Sequence, residues 1–281
     1  MNTIGFVDYY ISEWHANNYP DWIKLANEKL GTDYVVSYAW AEKELSPVYD
    51  ETTDEWCKKM GVTHCNTITE LCEKSDAIII LSPSNPEKHL QYAKEVLPFS
   101  KPTYIDKTFA PDLKTAEEIF ELAKQYNTPF FSSSALRFAD ELNGLETIDN
   151  LIITGGGGNF PEYIIHTVEM AVKLLNDPIK MVKVEKIGKQ RICHAITGNG
   201  KRASIIYSPA EGFCIDFENK NGEYIHTDIK SDFFVNLIAN IIKFFNTAVL
   251  PFDTKQTLEV MRFRSALLRA ENTCENWIEL E

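Results

Sequence analysis

The stretch Ser75-Asp76-Ala77-Ile78-Ile79-Ile80-Leu81-Ser82-Pro83 holds a short apolar run, Ala77 to Leu81, with helical patterns on either side. The same alternation repeats outward from it. Thr3 to Val7 and Tyr34 to Trp40 read as strands before it, and Thr103 to Ile105 and Pro129 to Ser133 as strands after it. Helical patterns fall between them at Asp21 to Leu30, Asp54 to Met60, Ile68 to Lys74, Asn85 to Val96 and Leu113 to Tyr126. Alternating strands and helices are the signature of βαβ units. Residues 1–133 therefore predict a doubly wound α/β domain on a mostly parallel sheet.

The second half changes character. A strand at Leu151 to Thr154 runs into the glycines Gly155 to Gly158, and a helix follows from Phe160 to Leu175. Strand patterns at Met181 to Ile187, Gln190 to Thr197, Ala203 to Ser208, Gly212 to Glu218 and Glu223 to Ile229 are separated by turn signals such as Asn199-Gly200 and Asn221-Gly222. They predict a mostly antiparallel sheet. Helices near Asp232 to Phe245 and Thr257 to Cys274 close the chain. The expected organisation is a Rossmann-like domain over 1–133 and an α+β domain over 134–281, with a cleft between them as the default ligand site.

The 281 residues, 44% apolar and 25% charged, suit two globular domains. A net charge of −13 without any basic stripe leaves nucleic acid and anionic lipid no electrostatic driving force. Small molecules are the expected partners. The first residues lack a basic segment, and no apolar stretch reaches the ~18 residues of a membrane span, so a cytoplasmic protein is expected. The six cysteines, Cys57, Cys65, Cys72, Cys193, Cys214 and Cys274, form no C-x-x-C pair. Reduced thiols and no metal are expected.

Several segments together resemble the glucose-fructose oxidoreductase / inositol dehydrogenase (Gfo/Idh/MocA) family. Ser75 to Pro83, followed by His89, resembles the family's third functional strand and its Thr/Ser-Pro loop. Lys101-Pro102-Thr103-Tyr104-Ile105-Asp106-Lys107-Thr108 resembles its G-K-P-V-x-x-E-K-P segment. Gly156-Gly157-Gly158-Asn159-Phe160-Pro161-Glu162-Tyr163-Ile164-Ile165-His166-Thr167-Val168-Glu169 follows its G-G-G-x-L-x-D-x-G-x-H-x-x-D run in register, with Glu at both acidic positions and Ile164 for a glycine. Leu250-Pro251-Phe252 through Leu280 resembles its closing helix and strand.

The resemblance implies hydride transfer between NAD or NADP and a sugar, polyol or related compound, in a homo-oligomer. It makes His166 the base that takes the hydroxyl proton, a task that suits an imidazole. Glu162 and Glu169 share its helix face, Glu162 orienting the ring. Lys107 would hydrogen-bond the reacting oxygen. Tyr10, Ile11, Ser82, Pro83, Asn85 and Asp106 would lie beside the cofactor, and Arg137 with Glu169 beside the substrate. His89 reads as a brace, and His15 receives no role.

The pattern breaks after the first strand. A dinucleotide site needs G-x-G-x-x-G there, so that the backbone can approach a pyrophosphate at a helix N-terminus. This chain has Asp8-Tyr9-Tyr10-Ile11-Ser12-Glu13. The acid for the adenosine ribose is also missing near Ala39 and Trp40, with Glu42 the nearest substitute. Two functions follow from the residues: an NAD(P)-dependent oxidoreductase with an altered cofactor loop, or a cofactor-free relative that binds a small ligand as a sensor or accessory protein.

Overall fold

The computed structural model describes residues 1–145, 147–273 and 276–280. They form two compact units, one of residues 1–133 with 234–254, the other of 134–233 with 255–281.

In the first unit, strands β1 (Asn2–Asp8), β2 (Tyr34–Ala41), β3 (Thr63–His64), β4 (Ala77–Ile80), β5 (Thr103–Ile105) and β6 (Phe130–Phe131) pair in the order β3-β2-β1-β4-β5-β6. Every pairing is parallel. The central strands are apolar on both faces because the sheet is covered on both sides; Ile4, Phe6, Val7 and Ile78 to Leu81 are all at 0% exposure. The strand order reverses between β1 and β4, so the loops after these two strands flank the switch point where doubly wound sheets place ligands.

Helices α1 (Trp14–Leu30), α2 (Thr53–Met60), α3 (Ile68–Lys74), α4 (His89–Val96) and α5 (Leu113–Tyr126) connect the strands. Local chemistry sets most of their ends. Thr52 and Glu55 form a reciprocal capping box on α2, and Asp112 caps α5 while Asn127 ends it in the left-handed conformation. One boundary departs from expectation: α1 begins at Trp14, seven residues before the predicted Asp21, with Pro20 inside it. Proline forfeits one backbone hydrogen bond and breaks an exposed helix. Here the buried face of His15, Ala16, Tyr19 and Ile23 carries the first turns. The segment Asn85 to Val96 divides into a short 3-10 turn over Pro86–Lys88 and α4.

In the second unit, β7 (Asn150–Gly155) is followed by α6 (Phe160–Leu175), then β8 (Ile179–Ile187), β9 (Gln190–Thr197), β10 (Arg202–Tyr207), β11 (Cys214–Glu218) and β12 (Tyr224–Asp228). After α7 (Phe233–Thr247) come α8 (Lys255–Ala270) and β13 (Ile278–Glu279). The sheet order is β12-β11-β7-β10-β9-β8-β13, parallel only between β7 and β10. Helices α6 and α8 pack on each other and on this sheet.

Helix α7 corrects the expected assignment of residues 134–281 to one domain. From Phe234 onward it belongs to the first unit. The Phe234 ring stacks on Trp22 with centroids 4.6 Å apart, while Phe245 packs on Tyr34 and Phe244 on Phe131. Cys57, Cys65, Cys72, Cys193 and Cys214 are buried free thiols, and Cys274 lies outside the described residues. Among the described residues no helix is long and apolar enough to cross a membrane.

Candidate functional site

The loop after β1 leads straight into α1, and Glu13 caps that helix. Its carboxylate accepts from the backbone N–H of His15 (2.8 Å) and of Ala16. The unpaired N–H groups of a helix start are what receives a phosphate in dinucleotide folds; here the chain's own buried acid consumes two of them. Ser12 is equally occupied, donating to Glu51 at 2.6 Å. Tyr10 is half-buried and Ile11 buried.

Asp8, which stands where the first glycine of the G-x-G-x-x-G motif would fall, is buried. It is 1% exposed. Its Oδ1 accepts from the Tyr9 N–H (2.7 Å), the Ser82 N–H (3.0 Å) and the Ser82 hydroxyl (3.1 Å), while Oδ2 has no hydrogen-bond partner among the described residues. Burial, reinforced by the neighbouring Glu13, pushes its carboxyl well above the usual range. Burial raises Glu13 as well, against the opposing pull of His15.

Beyond β5 a second buried cluster forms. His15 Nδ1 pairs with Asp106 Oδ2, and Asp106 Oδ1 accepts from the Lys107 N–H (2.8 Å) and the Tyr104 hydroxyl (3.2 Å). Burial alone would raise Asp106, but the electrostatic pull of His15 and Lys107 and the hydrogen bonds from the His15 ring and the Lys107 N–H outweigh it and hold its carboxyl below the ordinary value. Asp106 thus fixes the backbone of Lys107, whose side chain is half-buried. In the sequence His15 reads as only a partly buried residue of the first helix and receives no role; with the helix starting at Trp14, His15, Tyr19 and Ile23 fall at helical spacing on one buried face.

The remaining positions of this unit are tied to neighbours. Ser82 holds Asp8, and Pro83 is buried beside it. Asn85 donates to Glu87 at 3.0 Å. Glu42, the substitute for the ribose acid, pairs with Lys88 at 2.7 Å and accepts from the Tyr92 hydroxyl at 2.9 Å. His89 braces two segments, its ring nitrogens lying 2.9 Å from the Phe109 carbonyl and 2.6 Å from that of Leu81.

In the second unit, His166 lies on α6 with Nδ1 2.8 Å from the Ser134 hydroxyl. Beneath it runs a buried ion pair. Arg137 Nε donates to Glu169 Oε1, Arg137 also donates to Gln256 (2.7 Å), and Glu169 Oε2 accepts from the Ser134 N–H at 3.3 Å. The two side chains are only 4% and 3% exposed within the chain, so their direct contacts are with the protein. Lys173, one turn on from Glu169, donates to the Arg137 carbonyl at 2.7 Å; burial and the Arg137 charge push its ammonium down to about 8. Glu162 sits in the first turn of α6, where its carboxylate accepts from the Asn159 side chain at 3.0 Å and its N–H donates back to it. The glycine run before the helix is explained by close packing. A Cβ on Gly156 would stand 1.6 Å from the Ser208 carbonyl oxygen, and one on Gly155 would strike the Phe213 ring.

The fold is the one found in NAD-binding dehydrogenases. Compared by sequence, the chain matches no family model and no curated protein. Compared by structure, it is similar to myo-inositol dehydrogenase from Lactobacillus casei, solved with NAD(H) and myo-inositol: TM-score 0.80, 10% identity, covering 100% of this chain and 97% of that one. It is similar to an NAD-binding oxidoreductase from Klebsiella pneumoniae, with TM-score 0.76, 13% identity and coverage of 100% and 99%. A dehydrogenase from Clostridium difficile gives 0.73, 14%, 96% and 99%.

Set against the demands of a dinucleotide, the start of α1 does not fit. It has no glycine, its N–H groups serve Glu13, and Glu42 is engaged with Lys88 and Tyr92.

Proposed function

We propose that this protein is an oxidoreductase acting on a small sugar- or polyol-like hydroxy or carbonyl compound. The observation that carries the reading is Lys107: it stands just past β5, at the carboxyl edge where doubly wound sheets act on their ligands, with its backbone pinned by Asp106. The fold it sits in extends over the whole length of NAD-binding oxidoreductases. In this reading Lys107 polarises the reacting oxygen and His166 exchanges the hydroxyl proton. Ser134 and Glu162 set the imidazole, and the Arg137–Glu169 pair holds Ser134. NAD or NADP supplies the hydride acceptor when bound. The start of α1, with its N–H groups taken by Glu13, does not fit the pyrophosphate of that cofactor. Exposed Ile152 and Ile206, at 41% and 36%, lie on the second sheet and support pairing of two copies through it.

The second reading, a cofactor-free protein that binds a small ligand, is favoured by Glu13 and Asp8. Thermal-shift titration with NAD⁺, NADH, NADP⁺ and NADPH separates the two. A nucleotide at 100 times its dissociation constant adds about 2.7 kcal/mol of stability; such a shift with one of the four is expected from the oxidoreductase. No shift at millimolar concentration selects the second reading.

A further inference from the structure

A cavity of about 180 Å³ opens within the first unit at the carboxyl ends of β1 and β4. Its lining includes two carboxyl groups, Asp8 and Glu13, and three aromatic rings, Tyr10, Trp14 and Tyr49. No lysine, arginine or histidine is among the lining residues. Asp8 is the decisive group: three donors converge on Oδ1, while Oδ2, buried in the same wall, has none among the described residues. A buried carboxylate oxygen without a donor is unfavourable, and a second carboxyl nearby adds to the penalty. An anion entering here meets no counter-charge and no free start of α1, because Glu13 has taken it. A cation meets both acids.

The rings decide which cation. Tyr49 is 48% exposed, and Trp14, which packs on His15, Trp22 and Phe234, is still 45% exposed; aromatic rings attract alkylammonium groups. Hard metal ions instead require a shell of oxygens. We propose that this pocket binds a small protonated amine, its ammonium received by Asp8 and Glu13 and its carbon skeleton by the aromatic rings. The proposal goes beyond both functional readings and depends on neither Lys107 nor His166.

The test is calorimetry and thermal shift on the full chain with ethanolamine and glucosamine, against ethylene glycol and glucose as uncharged counterparts and potassium chloride at matched ionic strength. Saturable binding of the amines alone is expected. Asp8→Asn keeps the shape and supplies a donor at the orphan position; it should weaken amine binding at least tenfold while melting higher than wild type without ligand. Tyr49→Leu, at an exposed position, should weaken it severalfold with the fold unchanged. Equal responses to amines and their uncharged counterparts, an equal response to potassium, or undiminished amine binding in Asp8→Asn would each overturn the proposal.

Discussion

Asp8 is a buried acid whose proton affinity is raised by the fold, and the sign of its pH effect follows. Its unfolded value is near 3.9, and its folded value is higher. Its contribution to stability is therefore fully present below about pH 4 and is lost as pH rises through the folded value. Asp8→Asn removes that loss. In urea melts the variant should exceed wild type by about 1–3 kcal/mol at neutral pH, with the gap closing toward pH 4; a variant less stable at pH 7 would mean that Asp8 is ionised and paired. Arg137→Ala leaves Glu169 buried without its cation and should cost about 3–5 kcal/mol in the same assay. Lys107→Ala and His166→Ala should abolish turnover of any substrate found, with little change in melting temperature. Unaltered rates in either variant would remove that residue from the chemistry.

Elements were legible where periodicity and caps agreed. α3, α5 and α6 occupy the residues read from the sequence, each with a polar N-cap: Thr67, Asp112 and Asn159. α1 was misread because its signals conflict, with a proline in the second of its turns and a glutamate as cap in place of the commoner short polar residues. Replacing that cap by Glu13→Ala should cost about 1 kcal/mol of stability and free helix N–H groups. The glycine run drew attention as a motif, whereas packing against the Ser208 carbonyl makes its physical demand plain. Gly156→Ala should destabilise the protein by about 1–3 kcal/mol or more, because a backbone oxygen cannot step aside as a flexible side chain can. Thermal melts of the single variants check both values.

At the scale of the molecule, the first unit is discontinuous in sequence. A fragment of residues 1–133 lacks Phe234, Phe244 and Phe245, and so takes a packed ring away from each of Trp22, Phe131 and Tyr34. It should bind a hydrophobic dye and show no cooperative melt, whereas a chain with 234–254 linked back onto it should melt cooperatively. Cooperative unfolding of 1–133 alone would show α7 to be dispensable.

The alternation of apolar runs and helical periods determined that the chain has a parallel sheet followed by a largely antiparallel one. These are local patterns, set by which faces of each segment must be buried. The absence of glycine after β1 was equally plain. Only the tertiary structure decided that Asp8 turns inward to Ser82, that Glu13 closes the start of α1, that His15 meets Asp106 ninety-one residues away, and that α7 returns to the first unit. Each depends on contacts between distant segments. Such contacts leave no period in the sequence, because what fixes them is the shape and charge of surfaces that exist only once the strands have paired.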